Sequence, residues 1–449
     1  MPSGGFETLL AVLEVVRPAL TMPGYRNFVV LFSGWMQTAG MHAVTEALVQ
    51  AGAAGRRHHE AFHRFFSRGA WSPDEVGRLL FQVILEAMPE GCPLRAAVDD
   101  TLAAKKGPKV FGIGSHLDAV RSTKRQKVFS FGHCWVTLAV IMPVPFSSRT
   151  WALPVLFRLY RTKKDCVRRG EAHRKKTQLA RELVELLHDW VGERRVELSM
   201  DSAYCNDTVL RDLSANIVVF GAMRPDAVLT ALPRTKRRHQ NGRPRIRGAV
   251  LPKPEALARS ERWPWQKTKA HLYGKLQTVE YKLCDAQWYR ACGVRLLRVV
   301  VVRVTEGRIG VRVFFCTDFR LSPREILEGY AQRWAIEICF RDLKQLFGFA
   351  DSSARKKAAV ERTAPFVGFS YTLLVVWAVR GGHRLPIALP PIRPWYLHKR
   401  GLSAADLLRA AQRILGSVEV LDLPSHYDNL QKPMGQTHSP SNVSWKRAA

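Results

Sequence analysis

Residues 196–223, VELSMDSAYCNDTVLRDLSANIVVFGAM, read as a strand that ends in an acid, a short helical stretch and a second strand. Before them, TQLARELVELLHDWV (177–191) has strong helical periodicity. Further upstream PLRAAVDDT (93–101), VFSFGHCWVTLAVIM (128–142) and RTWALPVLFRLY (149–160) read as strands, and AKKGPKVFGIGSH (104–116) as a basic, glycine-containing loop. Three strands, a helix, a strand, a helix and a strand make a mixed α/β order.

The flanking regions have a different texture. Residues 1–90 repeat apolar side chains at helical intervals, and GRRHHEAFHRFFSRG (55–69) interleaves bases with aromatics. Short helices with basic faces suit a helical DNA-binding domain. Ser72 and Pro73 offer a start signal for the helix from Asp74. Residues 91–221 form the first part of the α/β core. Residues 222–320 read as a basic, mainly β insertion containing RTKRRHQNGRPRIR (234–247), in which Arg234, Lys236, Arg237, Arg238, Arg243, Arg245 and Arg247 meet no acid. Helices return over 321–385, with one continuous helix expected from Ser322 to about 347. A last helical segment and a polar tail fill 386–449.

The chain has 449 residues, 47% of them hydrophobic, which is enough for two or three domains with a substantial core. Its 69 Lys and Arg outnumber its 38 Asp and Glu, giving a formal charge of +31. That surplus calls for a polyanionic partner, with nucleic acid ahead of an anionic membrane surface. Apolar runs such as Val128–Pro145 and Leu296–Val304 are interrupted by Gly, His, Ser or Arg, so no spanning segment is expected. The first twenty residues lack a basic leader pattern, and a soluble, intracellular protein is expected. The 8 Cys are scattered without a CxxC pair and read as reduced thiols rather than zinc ligands. His58, His59 and His63 have helical spacing and read as a solvated basic face before a metal site.

Acids recur at the edges of these elements: Asp99 and Asp100 at the end of the first strand, Asp201 at the end of VELSMD, and Glu337 on the helix after the insertion. Carboxylates brought together need a cation between them. Mg²⁺ takes oxygen ligands, and two ions ~4 Å apart can activate an attacking oxygen and stabilise a leaving one. On a continuous helix Tyr330, Arg333, Glu337 and Lys344 fall at about 0°, 300°, 340° and 320°, one exposed stripe. Ile336, Cys339, Phe340, Leu343 and Phe347 occupy the adjoining apolar sector.

The spacing Y-(2)-R-(3)-E-(6)-K at 330, 333, 337 and 344 matches the YREK signature of a large clade of bacterial insertion-sequence DDE transposases of the cut-and-paste type. SPREILEGYAQRWAIEICFRDLKQLFGF (322–349) resembles that family's C-terminal catalytic region, VDDT its first-Asp motif and MDSAY its second. The resemblance covers about residues 90–350 and implies an α/β fold with an RNase H-like catalytic core, interrupted by the β insertion. It implies Asp99, Asp201 and Glu337 as catalytic ligands of two Mg²⁺ ions, with Mn²⁺ as substitute and Asp100 as the alternative to Asp99. Tyr330, Arg333 and Lys344 would contact transposon-end DNA, with Arg237, Arg238, Arg243 and Arg245 adding affinity. A tryptophan of the insertion would stack on a flipped base; Trp263, Trp265 and Trp288 are the candidates. The partners implied are double-stranded DNA (terminal inverted repeats and target) and a second copy of the chain, in the cytoplasm at the nucleoid. The rival readings are a catalytically inactive DNA-binding derivative and an RNase H-like nuclease without strand transfer.

Overall fold

The structure is a computed structural model that describes residues 3–417 apart from 108, 119, 124, 235–242, 305–309, 391–394, 396–398 and 400. The chain begins with helices α1 (Ser3–Leu13), α2 (Met22–Gln37), α3 (Val44–Gln50), α4 (Glu60–Ser67) and α5 (Pro73–Ala87). Ser72 caps α5 by accepting from the Asp74 N–H at 3.2 Å, with Pro73 in the first turn. Strands β1 (Leu94–Ala104), β2 (Gly114–Leu117), β3 (Phe129–Val144) and β4 (Ser147–Tyr160) follow. Then come α6 (Lys163–Arg168), α7 (Lys176–Val191), β5 (Val196–Met200), α8 (Asp207–Leu210) and β6 (Ile217–Ala222). The basic region supplies α9 (Pro254–Arg259), β7 (Gln266–Leu272), β8 (Lys275–Gln287), α10 (Tyr289–Cys292), β9 (Leu296–Val304) and β10 (Arg312–Cys316). Helices α11 (Pro323–Ala331), α12 (Trp334–Leu346), α13 (Lys357–Val379) and α14 (Ala404–Leu415) complete the described chain.

The strands form one mixed sheet of 10, in the order β2-β3-β1-β5-β6-β10-β9-β8-β7 with β4 also on β3. Among the described residues only β1–β5 and β5–β6 pair in parallel, which is what the crossovers through α7 and α8 require. The β-rich region does not stand apart from this sheet: β10 pairs directly with β6, and β9, β8 and β7 extend the row.

Alternation along the strands gives the sheet two buried faces. In β6, Ile217 and Val219 enter the main core while Val218 and Phe220 enter a second one; in β10, Val313 and Phe315 enter the main core and Cys316 the second, with Phe314 packed against it. The main core runs from α1 through the sheet to α14, so the helices of residues 3–87 share it. Helix α11 covers the second face. Gly329 allows its close approach, because a Cβ there would lie 2.5 Å from the Phe220 ring. The Ser199 hydroxyl also donates to the Gly329 carbonyl at 3.1 Å, tying α11 to β5 two residues before Asp201. Helix α13 has the length and apolarity to cross a membrane, yet 89% of its most apolar window is buried inside the molecule, as for a core helix.

Three expectations need correction. The loop after β1 contains a strand, β2, whose four residues are too few to show a period. Asp99 and Asp100 do not end β1; pairing with β3 continues to Ala104–Gly132, and it is only β5 that leaves after Val98. The helix from Ser322 is not continuous but breaks at Gln332–Arg333 between α11 and α12. The polar tail lies outside the described residues.

Candidate active site

Three separated acids are carried to one end of the parallel strands. Asp99 stands where β1 loses its parallel neighbour, and Asp201 directly follows the last residue of β5. Parallel strands whose carboxyl ends diverge leave a crevice between them. Glu337 comes from the first turn of α12, on the face of the sheet that Asp99 faces.

Arg333, at the break between α11 and α12, joins them. Its Nη1 donates to Asp99 Oδ2 at 2.6 Å and its Nη2 to Glu337 Oε1 at 2.5 Å. Asp201 lies within electrostatic reach of both Asp99 and Arg333. Burial pushes the Asp99 carboxyl up to about 7, against the pull of Arg333. Burial alone would also lower the Arg333 pKa, but Asp99, Tyr330, Glu337 and Asp201 hold it above its usual value, so the guanidinium stays charged. Its Nε is buried with no hydrogen-bond partner among the described residues.

Asp100 points the other way, as the next residue in a strand must. It accepts from Lys176 Nζ at 2.7 Å, from the Tyr204 hydroxyl at 2.6 Å and from Cys134 Sγ at 3.2 Å. Burial works to raise its pKa, yet Lys176, Tyr204 and Cys134 together bring it below the ordinary value. Tyr204 lies in the turn after Asp201, its N–H donating to the Asp201 carbonyl at 3.0 Å. A chain of hydrogen bonds thus runs from β1 to the loop that bears Asp201.

Of the exposed stripe expected of the YREK residues, Tyr330 and Glu337 stay in contact with Arg333 across the helix break, but Tyr330 is not exposed. Tyr330 is 8% exposed and packs on Phe314, with ring centroids 4.6 Å apart. Burial pushes its phenol up to about 12. The Arg333 guanidinium lies 5.6 Å from the Tyr330 ring centroid. Lys344 is exposed two turns beyond Glu337, within electrostatic reach of Asp118 and Asp100. The apolar sector of α12, from Ile336 to Phe347, is buried as its periodicity requires.

Arg243 and Arg245 are exposed in the segment that precedes the Thr230–Val250 bridge, whereas Arg237 and Arg238 lie outside the described residues. The Trp265 ring is covered by Lys282 at 4.6 Å and Arg303 at 4.4 Å. Trp263 is partly buried against the core, and Trp288 packs edge-on against Phe315 at 5.6 Å. A cleft of about 460 Å³ opens beside the carboxylates, lined by Asp201, Arg333, Tyr330, Phe314, Arg224 and Tyr273 among others. Tyr273 is 57% exposed and meets the 46% exposed Trp334 at 5.5 Å. Sequence reasoning misses Tyr273, Trp334, Tyr204 and Lys176. Two of them sit inside quoted motifs, Trp334 in YAQRWAIE and Tyr204 in MDSAY, and that position was the signal available.

The donor set of Asp99, Asp201 and Glu337 consists of carboxylate oxygens, which suits a hard divalent cation. Arg333 supplies positive charge at the place where such a cation would balance them. Among the described residues no three His, Cys, Asp or Glu converge as ligands. His58 stacks on His59 with centroids 4.5 Å apart, and His63 meets His59 edge-on at 5.8 Å.

A family model described as "DDE superfamily endonuclease" matches residues 17–286, and one described as "Archaeal putative transposase ISC1217" matches residues 290–380. No curated protein matches the chain in sequence. Among solved structures, a piggyBac transposase synaptic complex with hairpin DNA matches with a TM-score of 0.40 and 10% identity, covering 93% of this chain and 74% of that one. With more than half of its length matched by the first of these models, the chain belongs to the DDE superfamily endonuclease family.

Proposed function

We propose that the protein is a DNA transposase of the YREK-signature, bacterial cut-and-paste type, which cleaves transposon ends and joins them to target DNA. The observation that carries this reading is the meeting of Asp99 and Glu337 on Arg333, with Asp201 beside them, from elements more than 230 residues apart in the chain. The meander β1-β3-β4 followed by two parallel crossovers supports an RNase H-like core, with Asp99 where β1 parts from β5 and Asp201 just after β5.

Asp99, Asp201 and Glu337 would hold Mg²⁺, or Mn²⁺ in its place; when bound, the metal supplies an activated attacking oxygen and charge stabilisation at the leaving oxygen. The chain's own residues do the rest. Arg333 moves one arm of its fork from a carboxylate to the scissile phosphate, and Lys344 neutralises the phosphate beyond it. Tyr330 is the wall against which Arg333 rests. Water first attacks the phosphodiester and releases a 3′-hydroxyl; that hydroxyl then attacks target DNA. An unstacked base enters the cleft against Tyr273, because the Trp265 face is already taken. Joining two ends calls for a homodimer on DNA, with the helices before residue 90 and the exposed Arg243 and Arg245 adding backbone contacts.

The test is Glu337→Gln in the full chain, assayed on a duplex bearing the element's end with Mg²⁺. Cleavage is expected to vanish while duplex binding is retained. Cleavage at the wild-type rate would overturn the assignment. Strand-transfer products from a pre-cut end distinguish joining from hydrolysis alone.

A further inference from the structure

Three basic segments that are distant in sequence meet around one buried phenylalanine. They are AKKGPK (104–109), KKDCVRRGEAHRKK (163–176) and ARKK (354–357). Phe111 is 5% exposed, and Arg169, Arg161 and Lys357 lie 4.8, 4.9 and 5.7 Å from its ring centroid. Its N–H donates to the Arg355 carbonyl at 3.0 Å, and Lys105 Nζ donates to the Ser352 carbonyl, so the first and third segments are bound together. Asp165 of the second accepts from Arg168 and Arg169 of that segment at 2.7 and 3.2 Å and from the preceding Arg161 at 2.9 Å, with its own side chain only 3% exposed. The acid therefore points inward and fixes its arginines, while Lys163, Lys164 and Lys356 stay exposed.

This face lies at the same end of the sheet as the carboxylate site. Tyr160 at the end of β4 is level with Cys134 of β3 and Leu102 of β1, three residues past Asp99. Two strand spacings and three residues of rise are each about 10 Å, so the basic segment leaves the sheet at the same end as the acids. Lys176, the last residue of the second segment, reaches β1 through its bond to Asp100, on the face opposite Asp99.

We propose that the basic face around Phe111 is a docking surface for the sugar–phosphate backbone of duplex DNA, carrying the stretch next to the scissile phosphate. This rests on the transposase reading above. Charge is presented on the exposed Lys163, Lys164 and Lys356 beside Arg168 and Arg169, which Asp165 already orders before binding, and the contacts read no sequence. A solvated face would gain nothing from such anchoring.

The test replaces Lys163, Lys164 and Lys356 together by Gln in the full chain and follows binding of a random-sequence duplex across a salt series. Each phosphate that is no longer neutralised makes the slope of log K on log salt shallower by about 0.9, so a change approaching three units and at least about a tenfold weaker affinity near 0.15 M salt are expected. The same three positions changed to Arg should restore the slope, which separates charge from folding damage. Binding by the Gln variant with unchanged slope, while wild type binds, overturns the surface but not the transposase reading. Loss of binding to phosphatidylserine vesicles with DNA binding unchanged overturns it in favour of a membrane. A wild-type chain that binds no duplex overturns both readings.

Discussion

On one face of β1 Asp99 shares a guanidinium with Glu337; on the other, Asp100 is held by Lys176, Tyr204 and Cys134. The two are adjacent in sequence and both largely withdrawn from water, yet burial wins at Asp99 and compensation wins at Asp100. The charge of Asp99 is incompletely compensated, while that of Asp100 is met by its three partners. The difference teaches that a strand can place an undercompensated acid and a fully bonded one a single residue apart, because alternation gives them different surroundings.

Exchanging the pair is the sharpest way to break this comparison. Asp99→Asn should abolish DNA cleavage, at least about a thousandfold or ~4 kcal/mol of barrier, with little change of melting temperature. Asp100→Asn should lower cleavage about tenfold and cost about 2 kcal/mol of stability, since Lys176 and Tyr204 lose their charged acceptor. Equal effects on cleavage would dissolve the distinction. Next in size, Tyr204→Phe removes only the 2.6 Å bond to Asp100. A stability loss of about 1–2 kcal/mol is expected. Metal affinity measured by the rise in melting temperature with Mg²⁺ should weaken as well, because the Asp201 loop is no longer tied to β1.

A further prediction, read in pH rather than in cleavage, concerns the ground beneath the basic face. His133 is buried, its Nε2–H donating to the Phe111 carbonyl at 2.9 Å, and burial depresses its pKa to about 4. Between about pH 4 and 6.5 the unfolded chain binds this proton and the folded chain does not. Its contribution to stability is therefore present above about pH 6.5 and lost as pH falls towards 4, by up to about 3 kcal/mol. Denaturant melts across that range should show the slope, and His133→Gln should flatten it; a wild-type slope in the variant would exclude His133 as its source.

Sequence reading reaches the order of strands and helices because period 2 and period 3.6 are local properties, and a helix start such as Ser72–Pro73 is chemically local too. It reaches Asp99, Asp201, Arg333 and Glu337 through motif spacing, and these are brought together. It fails where the outcome depends on partners remote in the chain. Tyr330 is an exposed residue on an isolated helix but a buried one once α11 lies against β6 and β10. Trp265 reads as available for stacking, but Lys282 and Arg303 cover its ring.

By itself, then, the sequence determined the α/β order, the excess of positive charge and a short set of candidate acids, with Asp99 and Asp100 as alternatives. Those follow from composition and short-range spacing, which no fold can alter. Only the tertiary structure decided that Asp99 faces Arg333 while Asp100 is locked to Lys176, and that three basic segments gather on Phe111. Both depend on burial and on charges far away in the chain, and it is the folded chain that sets the distance between them.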